Sequence, residues 1–191
     1  MVNRESALAA HYHTGHFGLA ERTGVTLTEV RDLGLLQIAA WPNTVASVAK
    51  TACSMAGCAA TPAPGKASDG SAGSLLRIEP LKCWLVSATG EPLNNTEIDA
   101  DKGATLDLSH SRTHVRVSGE DAALLLNRHL PLDLRPASFP TGSVASTAFH
   151  HVGVTLWHSS NGFELFLPRG FAVSLWEGLV ESAEQFGLDV I

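Results

Sequence analysis

Hydrophobic and polar residues change period along this chain, and the changes mark its elements. Residues 1–23 are polar and His-rich with no periodicity, which predicts an irregular arm. Val25 and Leu27 alternate with Thr26 and Thr28, the two-residue period of a strand. Leu36, Ile38 and Ala40 carry a second strand to about Trp41. The period then lengthens: Val45, Val48, Ala49, Ala52, Met55, Ala56 and Ala59 recur at spacings of three and four, one face of an amphipathic helix. Pro42 stands just before it, where a missing N–H costs nothing. Residues 61–73 have linker composition and are the candidate internal hinge. Two short strands follow, with Leu76 and Ile78 sharing a face in the first and Trp84 and Val86 in the second. Residues 89–103 read as loop.

The second part repeats the scheme. Ala104 to Leu108 and Thr113 to Val117 read as paired strands. Gly119, Glu120 and Asp121 open a helix for which Ser118 and Asp121 are a capping pair, with Ala122, Leu125, Leu126 and Leu130 as its apolar face. Pro131, Pro136 and Pro140 mark a connecting loop that no helix or central strand tolerates. Three strands follow: Val144 to Phe149, a strand with Val152, Val154 and Leu156 on one face, and a strand with Phe163, Leu165 and Leu167 on one face. The turn between the last two is Ser160-Asn161-Gly162. Ala172, Leu175, Trp176, Leu179, Val180, Ala183 and Phe186 form the strongest helical stripe, and Gly187 stands where a C-cap glycine belongs.

Each part thus runs from a strand into a helix and then a hairpin, the pattern of a diverged duplication. Helices that alternate with strands without regular βαβ crossovers imply an α+β fold, helices covering antiparallel sheets. The expected organisation is an irregular arm, 1–23, and a single α+β domain, 24–191, whose halves are 24–90 and 104–191, each a duplicated strand-strand-helix-strand-strand unit.

Composition narrows the function classes. The chain has 191 residues, 45% hydrophobic and 17% charged, enough for a real core. A formal charge of −6 and no long basic run argue against nucleic acid as a partner. The apolar stretches are too short to span a bilayer, and the first residues have no apolar signal region, so the expectation is a soluble, cytoplasmic protein that does not engage a membrane. The three cysteines, Cys53, Cys58 and Cys83, have no framework spacing. Cys53 and Cys58 on one continuous helix would stand about 140° apart around its axis, so they are expected to be buried apolar residues that share neither a metal nor a disulfide.

Candidate chemistry is sparse. His11, His13 and His16 have the residue type and spacing to hold a divalent metal, but no acidic or cysteine ligand lies near them in sequence. The simpler reading is a polar arm that orders, if at all, against a partner. His150 and His151 are adjacent and would point to opposite faces of a strand, while His129 near a helix end and His158 at a strand end read as solvated or satisfied. Arg112, His114 and Arg116 share one face at strand spacing, a row suited to a carboxylate or an acidic protein patch. Asp107, Ser109 and His110 have the residue types of a hydrolytic triad, but neighbours on one strand cannot line up nucleophile, base and orienting acid. Gly-x-Gly-x-x-Gly, Walker A, Gly-x-Ser-x-Gly, His-Glu-x-x-His and Cys-x-x-Cys are all missing. Trp41, Trp84, Trp157 and Trp176 fall in predicted elements and are expected to anchor cores, with one or two available to a subunit interface.

An ordered series of segments carries a resemblance. It comprises Asp107-Leu108-Ser109-His110-Ser111-Arg112, then Val115-Arg116-Val117-Ser118-Gly119-Glu120-Asp121-Ala122, then Leu130-Pro131-Leu132-Asp133-Leu134 and Phe139-Pro140-Thr141-Gly142. Val154-Thr155-Leu156-Trp157 and the terminal helix containing Leu175-Trp176 complete it. Together they resemble the gamma subunit family of heterotetrameric sarcosine oxidase, most strongly from about residue 75 onward; the arm and residues 50–72 match least. That family is similar in fold to the folate-binding aminomethyltransferase, the T-protein of glycine cleavage, so the resemblance implies a T-protein-like architecture. It further implies a complex with alpha, beta and delta subunits that oxidises sarcosine to glycine and hydrogen peroxide, with the one-carbon unit passed to tetrahydrofolate as 5,10-methylenetetrahydrofolate. FAD, FMN, NAD, tetrahydrofolate and zinc would all sit on the other subunits. No catalytic, cofactor-binding or metal residue is carried over to this chain. The alternative is a stand-alone tetrahydrofolate-binding module, for which Asp107, Arg112 and Arg116 are the sequence-local candidates, equally able to serve an interface.

Overall fold

The computed structural model describes residues 5–18, 21–90 and 98–191. Its strands are β1 (Gly15–Phe17), β2 (Val25–Val30), β3 (Leu35–Ala40), β4 (Ala67–Asp69), β5 (Gly73–Glu79), β6 (Lys82–Ser87), β7 (Gly103–Asp107), β8 (Arg112–Ser118), β9 (Val144–Phe149), β10 (Val152–Ser159), β11 (Gly162–Pro168) and β12 (Leu188–Val190). The α-helices are α1 (Val45–Ala56), α2 (Ala122–Leu126) and α3 (Ala172–Ala183). Every predicted strand and helix is present. The three-residue strands β1, β4 and β12 are additions, too short to show a period. None of the described helices is long and apolar enough to cross a membrane.

The chain forms two compact units. One comprises residues 1–31, 111–141 and 146–191, and the other 32–110 and 142–145. The first is built on a seven-stranded sheet in the order β1-β12-β2-β8-β11-β10-β9, the second on a five-stranded sheet in the order β4-β5-β6-β3-β7. These units cut across the expected halves, 24–90 and 104–191, for a definite reason. The first strand of each half is built into the sheet of the other: β2 pairs with β8, and β7 pairs with β3. The strands 104–108 and 113–117, expected to pair with each other, therefore lie in different sheets. Proximity in sequence favoured a hairpin; the residues between them, Leu108 to Ser111, instead carry the chain from one sheet to the other.

In the five-stranded unit, α1 lays Val48, Ala52, Cys53 and Ala56 on Leu36, Ile38, Ala40, Leu75, Cys83 and Leu85. Three- and four-residue spacing on the helix meets two-residue spacing on the strands, which is why both patterns were legible. The expected hinge, residues 61–73, is pinned instead. Gly65 N–H donates to Arg77 O at 2.8 Å, Ala67 N–H to Gly142 O at 2.8 Å, and β4 pairs with β5.

The end of α1 corrects the cysteine expectation. The helix stops at Ala56 because Gly57 takes the left-handed conformation, φ 69°. Cys58 N–H then donates to Cys53 O and Gly57 N–H to Ser54 O, both at 3.0 Å, the paired bonds of a Schellman motif. That motif folds the second residue past the helix back over its last turn. Cys53 and Cys58 come to a Cα–Cα distance of 5.3 Å and form a disulfide. The 140° separation assumed a helix that the glycine ends.

In the seven-stranded unit, α2 packs on β2 and α3 on β11 and α2. Ala122, Leu125, Leu126, Leu175, Trp176, Leu179 and Ala183 are buried with Leu27, Val115, Val117 and Leu165. The expected Ser118–Asp121 cap is not made. Asp121 is the N-cap without a side-chain cap bond, and its carboxylate accepts from Arg22 Nη2 at 2.6 Å. Among the described arm residues only Gly15–Phe17 forms a strand, yet the arm is held in place. Tyr12 stacks on Trp176 with ring centroids 5.2 Å apart, Trp176 Nε1 donates to His11 O, and β1 pairs with β12. The arm orders on its own chain rather than awaiting a partner. Trp84, Trp157 and Trp176 are buried as expected, but Trp41 is 45% exposed, just past the end of β3, with its indole donating to Ala100 O.

Candidate functional site

The row predicted on one strand face is real, and β8 delivers it. Arg112, His114 and Arg116 alternate with Thr113, Val115 and Val117, and the register with β11 places Arg116 opposite Glu164 and His114 opposite Phe166. Glu164 is the residue that sequence reasoning missed. It sits in the apolar run of β11 and reads there as an outward-facing strand acid.

Glu164 is in fact 1% exposed and His114 5% exposed. Glu164 Oε2 accepts from His114 Nε2 at 2.7 Å. Its Oε1 accepts from Arg116 Nε at 2.8 Å and from Ser159 Oγ at 2.9 Å. Trp157 lies opposite Glu164 on β10, and His114 stacks on Phe166 with ring centroids 4.5 Å apart. Burial pushes the Glu164 carboxyl up, but the hydrogen bonds and charges of His114, and then of Arg116, outweigh it and hold the group below its ordinary value. A carboxylate only accepts, so the 2.7 Å contact assigns a proton to His114 Nε2. His114 Nδ1 is buried and has no hydrogen-bond partner.

This arrangement anchors a sheet rather than opening a reaction centre. Both Glu164 oxygens are engaged by the chain's own side chains, and the carboxylate is buried. The sequence candidates are not gathered around it. Asp107 belongs to the five-stranded unit, where it accepts from Ser109 N–H at 2.8 Å, whereas Arg112 and Arg116 belong to the seven-stranded unit. Burial lowers the Arg112 guanidinium from its usual value. A folate would need a carboxylate free to bind the pterin and a cation free for the tail. Of the three sequence candidates, Arg116 is engaged by Glu164 through its Nε.

The histidines disperse. His11 Nδ1 lies 3.2 Å from Glu177 and His16 Nδ1 lies 2.7 Å from Asp189. Among the described residues no group of His, Cys, Asp or Glu is placed to hold a metal ion. His158 Nδ1 donates to Phe139 O at 2.8 Å. His129 stacks on Phe149 and meets His150 edge-on; burial, then the charges of His150 and Arg128, lower its pKa. Ser109 is buried, with its hydroxyl accepting from Leu35 N–H at 2.9 Å, which removes it from any triad.

A second feature lies in the seven-stranded unit. A groove of about 390 Å³ runs between the arm and α3. Phe17, Trp176, Val180 and Val190 line it, with His11, His13, Glu177, Glu181 and Glu184.

No family model matches the chain. Individual proteins do. It is 28% identical over 173 residues to sarcosine oxidase subunit gamma from Corynebacterium sp. strain U-96, covering 88% of this chain and 83% of that one. The chain is similar in sequence to sarcosine oxidase gamma subunits. A second gamma subunit, from Arthrobacter sp., is 31% identical over 74 residues, 39% of this chain and 36% of that protein. In structure, the chain is similar to one in the heterotetrameric sarcosine oxidase from Corynebacterium sp. U-96 in complex with pyrrole 2-carboxylate, with a TM-score of 0.75, 23% identity and 96% of both chains covered. It is also similar to the glycine cleavage system aminomethyltransferase T from Bartonella henselae, with a TM-score of 0.60 and 18% identity over 89% of this chain and 48% of the other. The α+β, aminomethyltransferase-like fold implied by the sequence resemblance is the observed one. The structural similarity covers 96% of the chain and so takes in most of the arm and of residues 50–72, the parts whose sequence matched least.

Proposed function

We propose that this chain is the gamma-type, non-catalytic subunit of a sarcosine oxidase complex that oxidatively demethylates sarcosine to glycine. The observation that carries this is the similarity to a gamma subunit over 88% of the chain and 83% of that relative. The site chemistry supports it. The best-organised charged group, Glu164 with His114 and Arg116, is consumed internally, and the dinucleotide, phosphate and zinc sequence signatures are missing. On this reading FAD, FMN, NAD, tetrahydrofolate and zinc are held by the alpha, beta and delta chains, and this chain contributes surface and rigidity to the assembly. The stand-alone folate-binding module is the weaker reading, because Arg116 already binds Glu164.

Co-expression with alpha, beta and delta chains of a sarcosine oxidase from the same source tests the proposal. The expected product is a yellow complex that contains this chain and releases peroxide when sarcosine is added. A colourless chain that purifies alone from such cells, while the other three assemble and turn over without it, would overturn it.

A further inference from the structure

On α3, Glu177, Glu181 and the adjoining Glu184 stand at i, i+4 and i+7, so their carboxylates form one ridge along the groove. Like charges at that spacing repel. Glu181 and Glu184 also sit at the helix's C-terminal end, which carries its own partial negative charge, and the last turn contains no basic residue. Among the described residues the only charge partner of the ridge is His11, 3.2 Å from Glu177, with the two side chains 43% and 59% exposed; Glu181 and Glu184 have none. Beside the ridge the groove is apolar, with Phe17, Val180 and Val190 around the edge of Trp176. Unfavourable to the isolated chain, this arrangement becomes favourable when a cation with an apolar neighbour enters.

We propose that the groove between the arm and α3 is a docking site for a cationic, amphipathic segment of a partner subunit, which lays an arginine or lysine against Glu181 and Glu184 and an apolar side chain against Phe17 and Val180. Charge complementarity selects that occupant over an acidic or uncharged one. A volume of about 390 Å³ accommodates two or three side chains rather than a whole helix face. The partner's being a subunit rests on the function proposed above; the chemistry of the groove does not.

The test uses the full chain and two defined probes, an acetylated and amidated Lys/Leu helical peptide and its Glu/Leu counterpart, in titration calorimetry. The Lys/Leu peptide is expected to bind, with affinity falling at least about tenfold from ~50 to ~300 mM salt. Glu181→Gln with Glu184→Gln should lose at least about tenfold in affinity while melting no lower than the parent, since it relieves like-charge repulsion. Equal binding by that variant, or by the Glu/Leu peptide, overturns the proposal. So does heat from zinc chloride alone that EDTA abolishes, which would make the groove a metal site. Co-expression separates the two readings. If the parent chain assembles and Glu181→Lys with Glu184→Lys assembles equally well, the groove proposal falls and the subunit reading stands. If the parent chain never assembles, the subunit reading falls, and the peptide titration alone decides the groove.

Discussion

Glu164 and His114 meet diagonally across β11 and β8 at 2.7 Å, in a place where neither side chain reaches water. A buried acid is tolerable only while its partners remain, because leaving one ion uncompensated costs far more than the pair contributes. Glu164→Ala is therefore expected to destabilise the fold by about 3–5 kcal/mol, measured by urea unfolding. Glu164→Gln, which keeps the volume and one acceptor, should cost less. A double-mutant cycle with His114→Phe should show a coupling of about 0.5–3 kcal/mol.

Stability is expected to fall at acid pH in two stages. His129 has a folded pKa below the ordinary histidine value of 6.5, lowered by burial and then by the charges of His150 and Arg128. Between that depressed value and 6.5 the unfolded chain binds more protons, so stability declines as pH drops below 6.5. Glu164 acts later. Its folded pKa lies below 4.5, so the stability it adds is complete above 4.5 and is lost as pH falls toward the folded value. His129→Phe should flatten the profile of urea midpoints between pH 5 and 7 and leave the lower stage intact.

The Cys53–Cys58 link closes a loop of five residues' separation, so its contribution should be about 2 kcal/mol on chain-entropy grounds. Dithiothreitol should lower the melting temperature of the parent chain and leave that of Cys53→Ser with Cys58→Ser unchanged. Gly57→Ala should be destabilising in both backgrounds, because a Cβ there meets Ser71 Oγ at 2.3 Å and the backbone has φ 69°.

Tyr12 fastens the arm by its ring on Trp176 and by its hydroxyl, which donates to Ile191 O and accepts from Glu29 N–H. Tyr12→Ala should cost about 1–3 kcal/mol. It should also shift tryptophan emission to the red as Trp176 gains solvent, whereas Tyr12→Phe should keep the emission and lose only the hydrogen-bond part.

Periodicity was enough to find β2, β3, α1, β5, β6 and the run from β7 to α3, because each buries one regular face against another. What it lacked was partnership. The pairing of β2 with β8 and of β7 with β3 depends on contacts far apart in sequence, and no local pattern distinguishes an exchanged strand from a neighbouring one. The site shows the same division. Arg112, His114 and Arg116 were legible as a row from spacing alone, but Glu164 looked like any outward strand acid, and only the β8–β11 register reveals it as the ion that occupies them. The groove lay in two such pieces, a His-rich arm and a helical glutamate ridge, each unremarkable until the arm folds along α3.

The position of β12 governs when this protein can finish folding. Leu188–Val190 inserts between β1 and β2, with Leu188 beside Phe17 on one side and Val25 on the other. A ribosome adding about 5–20 residues per second releases those residues roughly ten to thirty seconds after β2. Throughout that interval two strands wait with open edges that invite pairing with foreign chains. The five-stranded sheet, complete once β7 emerges, escapes this delay. A nascent chain of this kind should therefore lean on chaperones at its amino-terminal strands, and stalled translation near residue 187 should leave aggregates even when every other element has formed.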